Sequence, residues 1–91
     1  MVQIITIPKL GLTMEKGIIT RWYVKEGDRI LKGQPLFELE TDKITNAVLS
    51  PEDAFVIKIL AETDQEYPVH TQACVIGEPD EKYVPGTHEI A

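Results

Sequence analysis

Apolar and polar residues alternate in short runs along most of the chain, the period of half-buried strands, and turn residues separate the runs. Val2 to Ile7 is rich in β-branched residues and stops at Pro8. The run Ile18 to Val24 sets Ile18, Thr20, Trp22 and Val24 on one face and Ile19, Arg21 and Tyr23 on the other. Glu26-Gly27-Asp28 reads as a turn, Arg29 to Leu31 as a short strand, and Gly33-Gln34-Pro35 as a further break. Leu36 to Glu40 puts Phe37 and Leu39 on one face, against Leu36, Glu38 and Glu40. Thr45 to Leu49 runs back from an Asp42-Lys43 tip, Ser50-Pro51-Glu52-Asp53 turns, Phe55 to Leu60 is almost wholly apolar, and Ala73 to Ile76 closes the pattern. No stretch keeps a helical period over about 10 to 12 residues. The pattern therefore predicts an all-β domain of about seven or eight short strands.

The pattern also repeats. Sliding Gly17 onto Ala54, a constant offset of 37, aligns the stretch from Gly17 to Leu39 with that from Ala54 to Ile76 without a gap. Ile18, Ile19, Arg21 and Trp22 then fall on Phe55, Val56, Lys58 and Ile59, and Phe37 and Leu39 on Cys74 and Ile76. Two related β units of this kind bury their faces on each other as a two-sheet sandwich or flattened barrel. In such a molecule the Asp42-Lys43 turn joins the halves at one end, with the termini expected at the other.

Length and charge narrow the possibilities. The 91 residues make one domain, with an apolar fraction of 43% and a charged fraction of 26%, ordinary for a globular protein. No apolar run approaches the ~20 residues of a membrane helix, so no membrane partner is expected. The N-terminus lacks a basic region before its apolar residues and reads as a first strand rather than a signal peptide. A net charge of −6, with nine scattered Lys and Arg, argues against nucleic acid and for protein partners. The lone Cys74 cannot form an internal disulfide, which fits a reducing cytoplasm. Beyond Gly77 the alternation ends. Residues 1–79 are expected to form the domain, and 80–91 a disordered tail or the start of a linker.

The candidate chemistry gathers at the hairpin tip. Ideal two-residue hairpins favour Asn-Gly or other Gly-containing pairs. "ETDKIT" offers neither Gly nor Asn at Asp42-Lys43, and a type I turn is expected there. Lys43 is either a solubilising residue near an edge or an attachment point on a rigid protrusion, where acylation would remove a charge and add a tether. Glu38, Glu40 and Asp42 are either a solvated face or an orienting charge pattern for a partner. No catalytic constellation is visible. Ser50 precedes a proline, His70 and His88 have no partners at a useful spacing, and no metal-ligand spacing occurs. Cys74 shares its repeat position with Phe37 and reads as a core thiol, and Trp22 and Phe55 read as core.

The pieces "PKLGLTMEKG", "VKEGDRILKGQPL", "ETDKIT" and "VIGEP" together resemble the lipoyl domain of the dihydrolipoamide acyltransferases, the E2 components of 2-oxo acid dehydrogenase complexes. The similarity spans residues 4 to 79. It implies a flattened β-barrel or sandwich of two four-stranded antiparallel sheets with quasi-two-fold symmetry. It also implies lipoic acid in amide linkage on Lys43, in an attachment turn made by Thr41, Asp42, Lys43 and Ile44. The domain would be a monomeric, non-catalytic carrier. Its implied partners are a lipoate ligase or lipoyl transferase, the thiamine-diphosphate-dependent E1, the E2 acyltransferase core and the dihydrolipoyl dehydrogenase E3. Gly11, Leu12, Thr13 and Met14, with Glu38 and Glu40, would face these partners; the loop could equally be an ordinary connection.

Two other readings stay open. A biotin carrier shares the fold but commonly flanks its lysine with methionines, where this chain has Asp42 and Ile44. An unmodified interaction module would have no need of a lysine at this turn. The chain departs from the family pattern in its second half: Asp64 and His70 stand where the repeat asks for the glycines of positions 27 and 33, and Ala54 replaces a usual glycine. Asp tolerates positive φ better than most residues, whereas His70 and Ala54 are expected to disturb their turns.

Overall fold

Every apolar run named above becomes a strand in the computed structural model, which describes residues 2–79. The expected tail at 80–91 lies outside the described residues. The strands are β1 (Gln3–Thr6), β2 (Lys16–Trp22), β3 (Arg29–Ile30), β4 (Pro35–Glu40), β5 (Thr45–Leu49), β6 (Ala54–Ile59), β7 (Glu66–Pro68) and β8 (Gln72–Gly77). They form two four-stranded sheets, in the orders β1-β8-β6-β3 and β5-β4-β2-β7, and every pairing is antiparallel. The two-sheet fold expected from the sequence is therefore the one formed.

The repeat is realised strand by strand. Moving β2, β3 and β4 forward by 37 residues lands on β6, β7 and β8, and the same exchange carries one sheet order onto the other. Even the irregularities correspond, because the register slips between Ile19 and Arg21 in β2 and between Val56 and Lys58 in β6. Hydrogen bonds between the halves come in matched pairs. The Gly27 amide donates to the Val56 carbonyl at 2.7 Å, and the Asp64 amide to the Ile19 carbonyl at 2.6 Å. Likewise Val56 N donates to Asp28 O at 2.9 Å, and Ile19 N to Gln65 O at 3.2 Å.

Between β1 and β5 the offset is 43. The Ile7 amide donates to Thr71 O and the Ser50 amide to Gln34 O, each at 2.9 Å. Between equivalent positions the chain from β1 to β2 is thus six residues longer than that from β5 to β6, and this loop is where the two-fold symmetry breaks.

Both halves fill one core. Ile19, Val24, Leu36, Phe37 and Leu39 from the first half, and their repeat mates Val56, Ala61, Ala73, Cys74 and Ile76, are all buried. At the first four positions the first half carries the larger side chain, so the core volume is shared unequally between the halves. Trp22 packs against this core with its ring 4.7 Å from Phe37, and its indole N–H donates to Ala61 O at 3.1 Å. Cys74 is fully buried, and desolvation pushes its thiol up to about 12, so it stays a neutral core residue.

Three details differ from the alternation pattern. Ile19 is fully buried although its expected face-mates Arg21 and Tyr23 are exposed, because the bulge inserts Thr20 and turns Ile19 inward. Leu36 is buried beside Phe37 instead of facing out with Glu38 and Glu40, and the register shift between Pro35 and Phe37 accounts for it. Phe55 is half-buried and lies outside the core cluster.

The turn substitutions keep the conformation of the glycines they replace. Gly27 and Gly33 have φ of 94° and 86°, and their mates Asp64 and His70 have φ of 66° and 74°. Left-handed backbone costs a side-chain-bearing residue roughly 1–2 kcal/mol. The repeat has held its turn geometry at that expense, whereas Ala54 sits within β6 opposite Ile30 with no positive φ and no strain.

Two stability outcomes follow. A Cβ at Gly33 would meet nothing within 4 Å, so Gly33→Ala isolates backbone strain and is expected to destabilise by about 1 kcal/mol, while His70→Gly stabilises by a few tenths to about 1 kcal/mol. Urea midpoints at constant m measure both. Gly17 is buried and not left-handed, but a Cβ there would stand 2.9 Å from Leu39 Cδ1 and 3.1 Å from its Cγ. Gly17→Ala should therefore destabilise by about 1–3 kcal/mol through overpacking, and Leu39→Ala in the same chain should relieve part of that crowding while adding its own loss of packing. A double-mutant cycle reads the coupling.

Candidate functional site

Strands β4 and β5 pair from Pro35–Leu49 out to Glu40–Thr45, which leaves Thr41 to Ile44 as the connection. Neither Asp42 nor Lys43 has positive φ, so the primed hairpin turns are excluded, in keeping with the unprimed geometry the residues suggested. Thr41 and Ile44 tie the turn instead. The Thr41 amide donates to Ile44 O at 2.7 Å, and the Ile44 amide donates to Thr41 Oγ1 at 3.2 Å. The Thr41 hydroxyl in turn donates to Ile44 O at 3.2 Å.

At the apex, Asp42 and Lys43 are both exposed. Among the described residues the ion pairs are Lys16–Glu66 at 3.5 Å and Lys58–Glu26 at 3.9 Å, and Lys43 belongs to neither. Its ammonium is free to react or to be grasped. The turn thus presents a primary amine in the open, on a connection tied by its neighbours.

The longer β1–β2 loop comes back to this turn. A Cβ on Gly11 would stand 4.0 Å from Ile44 Cδ1. An open groove of about 580 Å³ lies between the two, lined by Gly11, Thr13 and Met14 from the loop and by Glu40 to Ile44 from the turn. Of the residues expected to face partners, Leu12 is 94% exposed and does not line the groove, and Thr13 is exposed within it. Met14 has a structural part: it packs on the core, and its sulfur accepts from the Leu10 amide at 3.1 Å. Its own amide closes the loop onto Gly11 O at 3.2 Å.

The three acids do not act as one group. Glu40 and Asp42 stand on the groove beside Lys43. Glu38 is half-buried further down β4, where its carboxylate accepts from the Thr20 hydroxyl at 2.7 Å. Sequence reasoning did not single out Glu15, Lys16 and Glu66, which also line the groove, with Lys16 and Glu66 paired across β2 and β7. The repeat carried a signal for that strand, because advancing Arg29–Ile30 by 37 gives Glu66–Tyr67. Gly17 is a further groove residue, required by the close approach of Leu39.

Comparisons with known proteins agree with this architecture. A family model described as "Biotin-requiring enzyme" matches residues 3–76. Among curated proteins, the acetyltransferase component of the mitochondrial pyruvate dehydrogenase complex of Caenorhabditis elegans is 38% identical over 79% of this chain, which covers 14% of that protein. The acetyltransferase component of the acetoin cleaving system of Pseudomonas putida is 35% identical over 88% of this chain, which covers 22% of it. The chain thus spans about a fifth or less of these relatives.

Two solved structures share the fold. The lipoyl domain of the 2-oxoglutarate dehydrogenase complex from Azotobacter vinelandii aligns over 84% of this chain and 98% of its own, with a TM-score of 0.70 and 21% identity. A single-chain, multi-domain long-chain acyl-CoA carboxylase aligns over 87% of this chain and 7% of its own, with a TM-score of 0.71 and 16% identity. With its fold, its hairpin lysine and its acyltransferase relatives in agreement, the chain belongs to the biotinyl/lipoyl attachment family, as the resemblance to E2 lipoyl domains implied.

Proposed function

We propose that this domain is a lipoyl carrier, with lipoic acid joined through its carboxyl group to Lys43 Nζ. The observation that carries the reading is the exposed, unpaired lysine at the apex of the β4–β5 turn. The relatives support the lipoyl over the biotinyl form, since those at 35% and 38% identity are dihydrolipoyllysine-residue acetyltransferases. Fold alone does not choose, because a carboxylase and a lipoyl domain match it equally well.

On this reading the domain does no chemistry of its own. Lys43 would hold the lipoyl group, whose dithiolane would supply acyl and electron transfer between a thiamine-diphosphate-dependent E1, an E2 acyltransferase core and E3. The substrate class is a 2-oxo acid or acetoin, after the two kinds of complex to which the relatives belong. A carrier must leave each partner after each transfer, which requires small, polar contacts of less than about 1,200 Å². On this reading Glu40 and Asp42 and the loop from Gly11 to Thr13 would make such contacts; that Glu40, Asp42, Gly11 and Thr13 line one groove with Lys43 supports it. The single buried thiol and the working dithiol both suit a reducing cytoplasm.

Incubation with lipoate ligase, lipoate and ATP, followed by intact mass measurement, tests the assignment. One lipoyl increment is expected on the wild-type chain and none on Lys43→Arg. A folded wild-type chain that gains no increment overturns it, and an increment with biotin and biotin ligase instead would make it a biotin carrier.

A further inference from the structure

The connection that carries Lys43 has an unusual closure. Asp42 and Lys43 engage in none of the hydrogen bonds found among the described residues, and neither has the positive φ of the turns whose twist suits a two-residue hairpin. The direction in which Lys43 leaves the backbone therefore depends on how Thr41 and Ile44 are held together. One of their links is the backbone bond from Thr41 N to Ile44 O. In a hydrogen-bonded unprimed turn the return bond runs from the fourth amide to the first carbonyl. Here the Ile44 amide donates to the Thr41 hydroxyl, which in turn donates a hydrogen bond to Ile44 O.

We propose that the Thr41 hydroxyl is a positioning residue for modification of Lys43: it replaces the backbone carbonyl as the turn's acceptor and fixes the apex in the one shape that presents Nζ to the loading enzyme. The inference rests on the carrier reading above. The clamp does little for folding, because the turn is exposed and water can take the place of either bond. Its consequence is geometric. An enzyme that transfers an acyl group to Nζ needs the amine in line with its activated carboxyl, and small misplacements there cost rate heavily. Exposure alone satisfies a small reagent, which needs no such alignment.

Thr41→Val keeps the β-branch and the backbone bond but removes the hydroxyl, and Thr41→Ser keeps the hydroxyl without the methyl. Lipoylation by lipoate ligase is expected to lose roughly tenfold in kcat/KM for Thr41→Val and to stay within about twofold of wild type for Thr41→Ser. The melting temperature and the acetylation of Lys43 by a small active ester should be the same in all three. Amide hydrogen exchange at Ile44 should be faster in Thr41→Val only. Wild-type rates for Thr41→Val, or equal losses in Val and Ser, overturn the proposal. A wild-type chain that takes no lipoate overturns the carrier reading instead, and exchange at Ile44 then decides whether the clamp exists.

Discussion

Neither half of this molecule owns a sheet. Sheet β1-β8-β6-β3 takes two strands from each half, and so does β5-β4-β2-β7. The paired bonds from Gly27 to Val56 and from Asp64 to Ile19 stitch one half to the other at equivalent places. The apolar faces are consequently completed only when both halves are present, and a chain this small has no second core to fall back on. This interlock explains why the left-handed turns persist at Asp64 and His70 after their glycines have been replaced. Relaxing either backbone would move a strand that shares its sheet with strands of the other half.

The same interlock mounts an exposed lysine. The β4–β5 turn is the link between the halves, and both of its strands are held in one sheet, β4 being flanked by β5 and β2. The apex can therefore be exposed and free of partners without being loose. The two-fold relation gives the domain no inherent reason to favour one end. The extra residues of the β1–β2 loop supply the asymmetry, and Gly11 within that loop lies beside Ile44 of the β4–β5 turn. Core composition is free to drift by comparison: Phe37 and Cys74 occupy equivalent positions, and so do Leu36 and Ala73. What must hold is the combined volume and the turns.

Much of this was legible in the sequence because strands of period two, separated by Gly, Pro and Asp turns, leave a direct trace. The two-sheet fold, the repeat and the exposure of Lys43 could all be read that way. Strand β7 could not, since Glu66-Tyr67-Pro68 has no alternation and ends in a residue that cannot donate to a ladder; only the repeat points to it. Bulges defeat period-two reading by adding a residue to one strand, which is why Ile19 and Leu36 turned out buried. At the site, the sequence grouped Glu38 with Glu40 and Asp42 because alternation puts the first two on one face. It could not show that Thr20 engages the Glu38 carboxylate while the other two remain on the groove. Nor does "ETDKIT" reveal that its first threonine closes the turn, since that depends on a side-chain rotamer.

The most direct test of the carrier role compares the lipoylated domain with free lipoamide as a substrate for reductive acylation by a thiamine-diphosphate-dependent E1 and its 2-oxo acid. If the fold presents its lysine to partners as described, the domain-bound lipoyl group will react with a kcat/KM at least roughly a hundredfold above that of free lipoamide. Equal values for the two would mean that the domain contributes nothing beyond an attachment point, and would contradict the role assigned to the turn and its neighbouring loop.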